Sequence, residues 1–328
     1  MIRFGVIGTN WITESFINAA TEIEDFKLTA VYSRTEDRAS EFAAKFNVST
    51  YYTNLEEMAQ SQDIDAIYIA SPNSFHSKQA VLFLQNGKHV LCEKPIASNS
   101  IELQQMIDAA KNNQVLLMEA LKTTFLPGFR SIQEHLHKLG EIRHYFGSFC
   151  QYSSRYDAYK SGTVLNAFNP IFSNGAIMDI GVYTIYPMVV LFGKPDEVKA
   201  NAIMLESGVD GQGSLLFKYP EMTGTVMYSK ISNSYIPSEI QGENGTMIID
   251  NIHTLEKINI QYRDGSVEDI SVPIEHHSMY YEAKEFIELI KNKEVESNIN
   301  SLQHSQFTTQ VLDEARKQIG LVFPADQI

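Results

Sequence analysis

Polar residues crowd the points at which short apolar runs of this 328-residue chain end. The run Arg3 to Ile7 leads into Gly8-Thr9-Asn10-Trp11-Ile12-Thr13, and Leu28 to Tyr32 leads into Ser33-Arg34-Thr35-Glu36-Asp37-Arg38. Ala66 to Ala70 is followed by Ser71-Pro72-Asn73 with His76 three residues on, and His89 to Cys92 by Glu93-Lys94-Pro95. In an open parallel sheet the ligand crevice lies beyond the carboxyl ends of the strands, so these groups are candidates for one site. The first turn supplies only Gly8 where a dinucleotide fingerprint calls for glycines at 8, 10 and 13. Asn10 tolerates left-handed backbone, and the helix that follows offers its first N–H groups to a pyrophosphate. An ordinary strand-turn-helix accounts for the same residues. After the second run no carboxylate stands ready for a ribose 2′-hydroxyl. Ser33, Arg34 and Arg38 suit a 2′-phosphate instead, the alternative being a Ser33–Glu36 capping box beside solvated arginines. Taken singly, His76 reads equally as a helix cap, and Glu93 beside Lys94 as an ion pair.

In the second half, Asp179 and Tyr183 lie four apart in the apolar stretch Asn174 to Tyr183, so a helix puts them on one face. A carboxylate and a phenol are costly in such surroundings without partners. Pro187 cannot donate the helical bond to the Tyr183 carbonyl and predicts a kink.

The elements that must position these groups follow from periodicity. Through about residue 120, β-branched and aliphatic runs, the last being Val115 to Met118, alternate with helical patterns ending at breakers such as Gly87, the pattern of βαβ units around a parallel sheet. After a helical stretch from Gly128 to Leu139, strand-like runs follow one another with few helices between them. Asp264-Gly265 and Asn244-Gly245 mark tight turns, and two helical segments, Met279 to Lys291 and Leu302 to Gly320, close the chain. The expected fold is therefore α/β: a Rossmann domain over 1–121 with a parallel sheet, then an α+β substrate-binding and oligomerisation domain over 122–328 with a large, mainly antiparallel open sheet. Such a sheet, covered by helices on one side only, predicts a homodimer or larger homo-oligomer.

A formal charge of −14 disfavours nucleic acid and anionic membrane as partners. Cys92 and Cys150 are the two cysteines, far apart, which suggests neither a disulfide framework nor a cysteine zinc site and fits a reducing, cytoplasmic setting. No secretion signal is visible at the N-terminus, and the apolar stretch Ala176 to Gly193 is interrupted by Asp179, Gly181 and Pro187, a poor membrane span. His276-His277 would point to opposite faces of an extended segment, so no metal site is expected there.

Three blocks in this order, Ser71-Pro72-Asn73 with His76, Gly87-Lys88-His89-Val90-Leu91-Cys92-Glu93-Lys94-Pro95, and Met178-Asp179-Ile180-Gly181-Val182-Tyr183, resemble the Gfo/Idh/MocA oxidoreductase family over nearly the whole chain. The Glu-Lys-Pro block after a Gly-Lys-His-Val strand is the most specific of them. Tyr183, where many members carry His, resembles the branch containing dihydrodiol dehydrogenase and glucose-fructose oxidoreductase. The resemblance implies that Lys94 is the catalytic-site lysine, that Glu93 contacts the nicotinamide end of the cofactor, and that Asp179 and Tyr183 face it from the second domain. The candidate cofactor set is then Gly8, Thr9, Asn10, Trp11, Ile12, Ser33, Arg34, Arg38, Ser71, Pro72, Asn73, His76, Glu93 and Lys94, with no metal. Asn10 in place of the second glycine, and Thr124-Phe125-Leu126-Pro127 in place of an Arg-Phe-His-Pro-like stretch, depart from the family pattern; Lys122, Thr123 and Thr124 carry no assigned role.

The implied activity is hydride transfer between NADP(H) and a carbonyl or secondary alcohol of a sugar, cyclic polyol or related compound. A different class, a non-catalytic nucleotide-binding sensor or regulator with the same fold, is opposed by the intact set Lys94, Asp179 and Tyr183. The acid/base role is open between Tyr183, whose phenol a nearby lysine would make more acidic, and Lys94 itself. The phosphate reading of Ser33 and Arg34 has a direct test. Arg34→Ala removes a charge-assisted hydrogen bond, about 1.5 to 3 kcal/mol, and should weaken NADPH roughly ten- to a hundredfold while barely changing NADH in fluorescence titrations. Equal losses for both cofactors would refute it.

Overall fold

Burial on both faces explains why the N-terminal runs are almost continuously apolar. In the computed structural model, which describes residues 1–327, they form six parallel strands. These are β1 (Ile2–Ile7), β2 (Phe26–Tyr32), β3 (Tyr51–Tyr52), β4 (Ala66–Ile69), β5 (His89–Glu93) and β6 (Leu117–Ala120), in the order β3-β2-β1-β4-β5-β6. The order reverses between β1 and β4, which is where an open α/β sheet places its ligand crevice. Helices α1 (Trp11–Ala20), α2 (Glu36–Lys45), α3 (Leu55–Gln60), α4 (His76–Gln85) and α5 (Ser100–Asn113) connect the strands. On one face Ile67, Ile69, Val90 and Cys92 pack with Ala80, Phe83 and Leu84 of α4 and Leu103, Met106 and Ile107 of α5. On the other, Phe4 lies 6.1 Å from the Phe16 ring of α1, and Phe16 stacks on Tyr68 at 3.8 Å.

The chain divides into two compact units, 1–122 with 276–302 and 123–275 with 303–328. The return of 276–302 to the first unit differs from the expected division at 121/122. Helix α9 (Tyr280–Lys291), assigned by its place in the sequence to the second domain, covers the β1 face beside α1, with Phe286 5.9 Å from Phe4. The first 122 residues leave that aromatic face incompletely covered, and the buried side of α9, Ala283, Phe286, Ile287 and Leu289, completes it.

Helix α6 (Pro127–His135) opens the second unit. Its sheet comprises β7 (Ile142–Cys150), β8 (Glu197–Met204), β9 (Asp210–Lys218), β10 (Thr223–Ser229), β11 (Ser238–Gly242), β12 (Gly245–Ile249), β13 (Ile258–Tyr262) and β14 (Val267–Asp269), in the order β14-β13-β12-β11-β7-β10-β9-β8. Neighbours are antiparallel except β7 and β10, which run parallel from His144↔Thr223 to Cys150↔Ser229. The expected turns are present, Tyr262 N donating to Ser266 O across Asp264-Gly265 at 2.9 Å. Between β7 and β8 come α7 (Ser154–Lys160) and α8 (Val182–Phe192), and α10 (Leu302–Ile319) closes the unit.

Helix α8 lies on one face of the sheet, where the Tyr145 hydroxyl donates to Thr184 O at 2.8 Å. By length and composition Pro170–Phe192 would span a membrane, yet 67% of its most apolar window is buried inside the fold. The opposite face of the sheet carries Phe146, Ser214, Leu216, Thr225 and Met227, with Leu216 57% and Ile203 52% exposed.

Candidate active site

The glycine of the first turn is required by space as well as by backbone. Gly8 has φ +108°, and a Cβ there would lie 2.6 Å from the Ala70 carbonyl oxygen. Asn10, expected to tolerate a left-handed turn, is extended at φ −109° and caps α1 instead. Its Oδ1 accepts from Ile12 N (3.1 Å) and Thr13 N (3.2 Å), while its Nδ2 donates to Ala70 O (3.0 Å). Thr9 is held by Arg38, whose guanidinium donates to Thr9 O at 2.8 Å and Oγ1 at 3.3 Å. Trp11 is exposed beside the turn. After β2 the capping-box alternative does not form, because α2 starts at Glu36 with Thr35 as its N-cap and no side-chain bond there. Ser33 is left half-buried and Arg34 exposed at the strand end.

His76 is fully buried between the segments that follow β4 and β5. Its Nε2 is 2.9 Å from Ser71 O and its Nδ1 3.0 Å from Pro95 O. Burial drives its pKa down to about 4, against these two carbonyl contacts, which favour the charged ring. Burial prevails, so the neutral ring donates its one N–H to one of the two carbonyls and packs against the other, closed off from solvent and from a ligand. Ser71 Oγ donates to Gln79 Oε1 at 2.6 Å, and the buried Asn73 opens a 3-10 turn, Asn73–Phe75, that ends on the exposed Phe75. Ile96 N donates to Glu119 Oε1 (3.0 Å), fixing the chain just past Lys94, which is half-buried.

Behind Lys94 lies a cluster of buried acids. Tyr68 donates to Glu93 Oε1 at 2.6 Å, and burial raises the Glu93 pKa while this bond and the charges of Lys94 and Lys122 oppose the rise. Glu282 of α9 is fully buried, and neither of its carboxyl oxygens has a hydrogen-bond partner among the described residues. Burial, and then the charge of Glu93, push its pKa well above the usual carboxylate range. Two carboxyls in so dry a place do not both ionise, so Glu282 keeps its proton. Lys122 donates to Ser278 Oγ at 3.0 Å and is the cation that offsets both acids. The sequence carried a signal for Glu282, since it sits one turn before Phe286 on the apolar side of α9.

In the second unit Asp179 and Tyr183 occur on one helical stretch, whose first turns, Ile177–Gly181, are π-helical before α8 begins. Asp210, fully buried, pins that turn by accepting from Ile177 N at 2.8 Å. Gly175 makes room for it: a Cβ there would lie 2.3 Å from Asp210 Oδ1. Burial pushes the Asp210 pKa up to about 6, the backbone N–H bond of Ile177 opposing. The half-buried Asp179 is ion-paired with Lys230, the residue after β10. The Tyr183 ring meets Phe149 edge-on at 5.8 Å and lies 6.3 Å from His253, which stacks on Phe149 at 4.1 Å. Asp210, Lys230 and His253 were not singled out in the sequence; the strand-end signal holds for parallel sheets, and His253 has no pattern around it. Among the described residues no three His, Cys, Asp or Glu side chains are grouped to hold a metal ion, and His276 contacts Glu22 at 2.8 Å.

The chain matches two family models, "Oxidoreductase family, NAD-binding Rossmann fold" over residues 2–121 and "GFO/IDH/MocA C-terminal domain" over residues 130–248. It is 58% identical to the scyllo-inositol 2-dehydrogenase (NADP(+)) IolU of Bacillus subtilis over 327 residues, 100% of each chain. The chain belongs to the GFO/IDH/MocA oxidoreductase family. The chain is also similar to the trans-1,2-dihydrobenzene-1,2-diol dehydrogenase of Mus musculus, 28% identical over 99% of each chain. The fold is that of levoglucosan dehydrogenase solved with NADH and levoglucosan, TM-score 0.87 at 19% identity over 97% of each chain.

Asp210 generates a test of this geometry. An acid whose pKa rises on folding, here from 3.8 to about 6, binds more protons folded than unfolded. Its contribution to stability is therefore favourable at low pH and falls as pH rises from about 4 to 6, by up to about 3 kcal/mol. Asp210→Asn keeps an acceptor for Ile177 N and removes the titration. Its melting temperature should rise relative to wild type between pH 4 and 7, and curves that stay parallel would sink the assignment.

Proposed function

We propose that this protein is an NADP(H)-dependent dehydrogenase that oxidises a secondary hydroxyl of a cyclic polyol, or reduces the corresponding ketone, with scyllo-inositol the first substrate to test. The full-length 58% identity to an NADP(+)-dependent scyllo-inositol 2-dehydrogenase carries the reading. The turn after β1, the polar end of β2 and the loops around His76 fit a dinucleotide: Gly8 lets the turn run tightly against the end of β4 into the start of α1, and Ser33 and Arg34 suit a 2′-phosphate. Gly8, Thr9, Asn10, Trp11 and Ile12 would line the pyrophosphate end, Ser33, Arg34 and Arg38 the ribose phosphate, and Ser71, Pro72, Asn73, Glu93 and Lys94 the rest, with the buried His76 supporting them from behind and not touching the cofactor. The bound cofactor supplies or accepts the hydride.

The protein's own residues manage the charge and the proton. Lys94 stabilises the alkoxide that hydride transfer creates or consumes. Tyr183 exchanges the proton with the substrate oxygen, while Asp179 accepts a hydrogen bond from a neighbouring substrate hydroxyl. Glu93, with its partner Tyr68, holds the base of Lys94, since Lys94 N donates to Glu93 Oε2 at 3.3 Å. A nucleotide sensor with the same fold would need none of Lys94, Asp179 and Tyr183, and the retention of all three favours the enzyme.

The uncovered sheet face with exposed Leu216 and Ile203 supports a homodimer or larger homo-oligomer. Light scattering showing a monomer at micromolar concentration would contradict this. Two unpaired cysteines, Cys92 and Cys150, support a cytoplasmic setting, which cell fractionation checks.

Nicotinamide absorbance with scyllo-inositol, other inositols and sugars, each with NADP and NAD, tests the reading; absence of turnover on every polyol would overturn it. Tyr183→Phe should lower kcat about 10²- to 10⁴-fold with NADPH affinity nearly unchanged. Near wild-type kcat in that variant would transfer the proton role to Lys94, and Lys94→Ala should be at least as damaging under either assignment.

A further inference from the structure

Asp179 is held through a closed set of bonds within the second unit. Asp210 pins the π turn through Ile177 N, and the next residue, Gly211, accepts Lys230 N at its carbonyl, each at 2.8 Å. Lys230 then returns its ammonium to Asp179 Oδ2. The ring runs through the first two residues of β9, the π turn and the residue after β10. The Lys230 side chain is 5% exposed and that of Asp179 30%, so the cation stands behind the carboxylate and away from anything that arrives from solvent.

The same ammonium lies 5.4 Å from the centre of the Phe168 ring, and Phe168 packs on Tyr156 and Tyr159 of α7 at 5.7 and 5.5 Å. The segment that carries these aromatics is tied at its start to the same place, Gln151 N donating to Ser229 O (2.8 Å) and Ser153 N to Lys230 O (2.9 Å). A lysine this dry is stable only when paired, and its carboxylate partner and the ring face together offset its lost hydration.

We infer that Lys230 is a positioning residue for the polyol dehydrogenase reaction: it aims the Asp179 carboxylate and keeps it an acceptor for a substrate hydroxyl, and it links the aromatic segment 152–168 to the site. This rests on the polyol reading above. An ionised carboxylate only accepts hydrogen bonds, whereas one left without its cation is free to turn or to take a proton and become a donor.

The test is a double-mutant cycle in the full-length enzyme. Misplacing a catalytic-site group by about 1 Å costs on the order of 10²-fold. Lys230→Met should therefore lower kcat with scyllo-inositol roughly 10- to 100-fold, leave the NADPH dissociation constant within about twofold, and have almost no further effect in an Asp179→Asn background. Lys230→Arg, which keeps the charge, should recover part of the loss. If Lys230→Met does not fold, Lys230→Arg with and without Asp179→Asn completes the same cycle. Losses that multiply in the double variant, or a Lys230→Met enzyme that is less stable yet keeps wild-type kcat, would overturn the role. A wild-type enzyme without polyol turnover would instead overturn the functional reading on which it rests.

Discussion

The close approach of the β1 turn to the carbonyl oxygen of Ala70, at the end of β4, is the constraint on which the carboxyl edge of the first sheet depends. Only glycine fits at position 8, since a Cβ would stand 2.6 Å from that oxygen, and the same oxygen accepts the Asn10 side chain that caps α1. The next carbonyl, Ser71 O, takes one nitrogen of His76, and the other nitrogen reaches Pro95 O beyond β5. Ile96 is then tied to Glu119 of β6. Turns that are separate in the sequence thus become one braced rim, and the backbone around Lys94 is held by side chains that are themselves buried, those of His76, Glu93 and Glu119.

Buried ionisable groups lie close to the candidate residues within each unit. Glu93 and Glu282 lie in the core beneath Lys94, with Tyr68 and Lys122 as their counterweights, and Asp210 and the Lys230–Asp179 pair lie around the π turn. Burial of a charge is unfavourable without a partner, and perturbed acids gather at functional sites for that reason. The surface ion pairs, such as Arg130–Glu134 and Lys284–Glu288 on exposed helix faces, contribute little to either fold or chemistry.

The two sheets solve different problems. The parallel sheet is covered on both faces, and its second aromatic face needs α9, a helix that arrives from more than 180 residues past β5 in the chain. The mixed sheet is covered by α8 on one side and leaves Leu216 and Ile203 exposed on the other.

Periodicity and strand-end chemistry determined by themselves the parallel α/β sheet, the larger and mostly antiparallel second sheet, the hairpin at Asp264-Gly265 and the family blocks at 71–76, 87–95 and 178–183, because local backbone preference and side-chain type govern each of these. Tertiary structure decided the rest. The two-residue β3 was invisible because Tyr51-Tyr52 is too short to show a period. The parallel β7–β10 pair depends on which strands meet after a long excursion, and α9 joined the first unit because an uncovered aromatic face selected it. The capping box implied by Ser33 and Glu36 gave way to a helix start at Glu36, and Asn10 became a cap and not a left-handed turn, each set by the neighbouring strand end. His76 became a buried brace, and Lys230, Asp210 and Glu282 gained their places from residues 33 to 189 positions away, a separation across which one sequence carries no signal of contact.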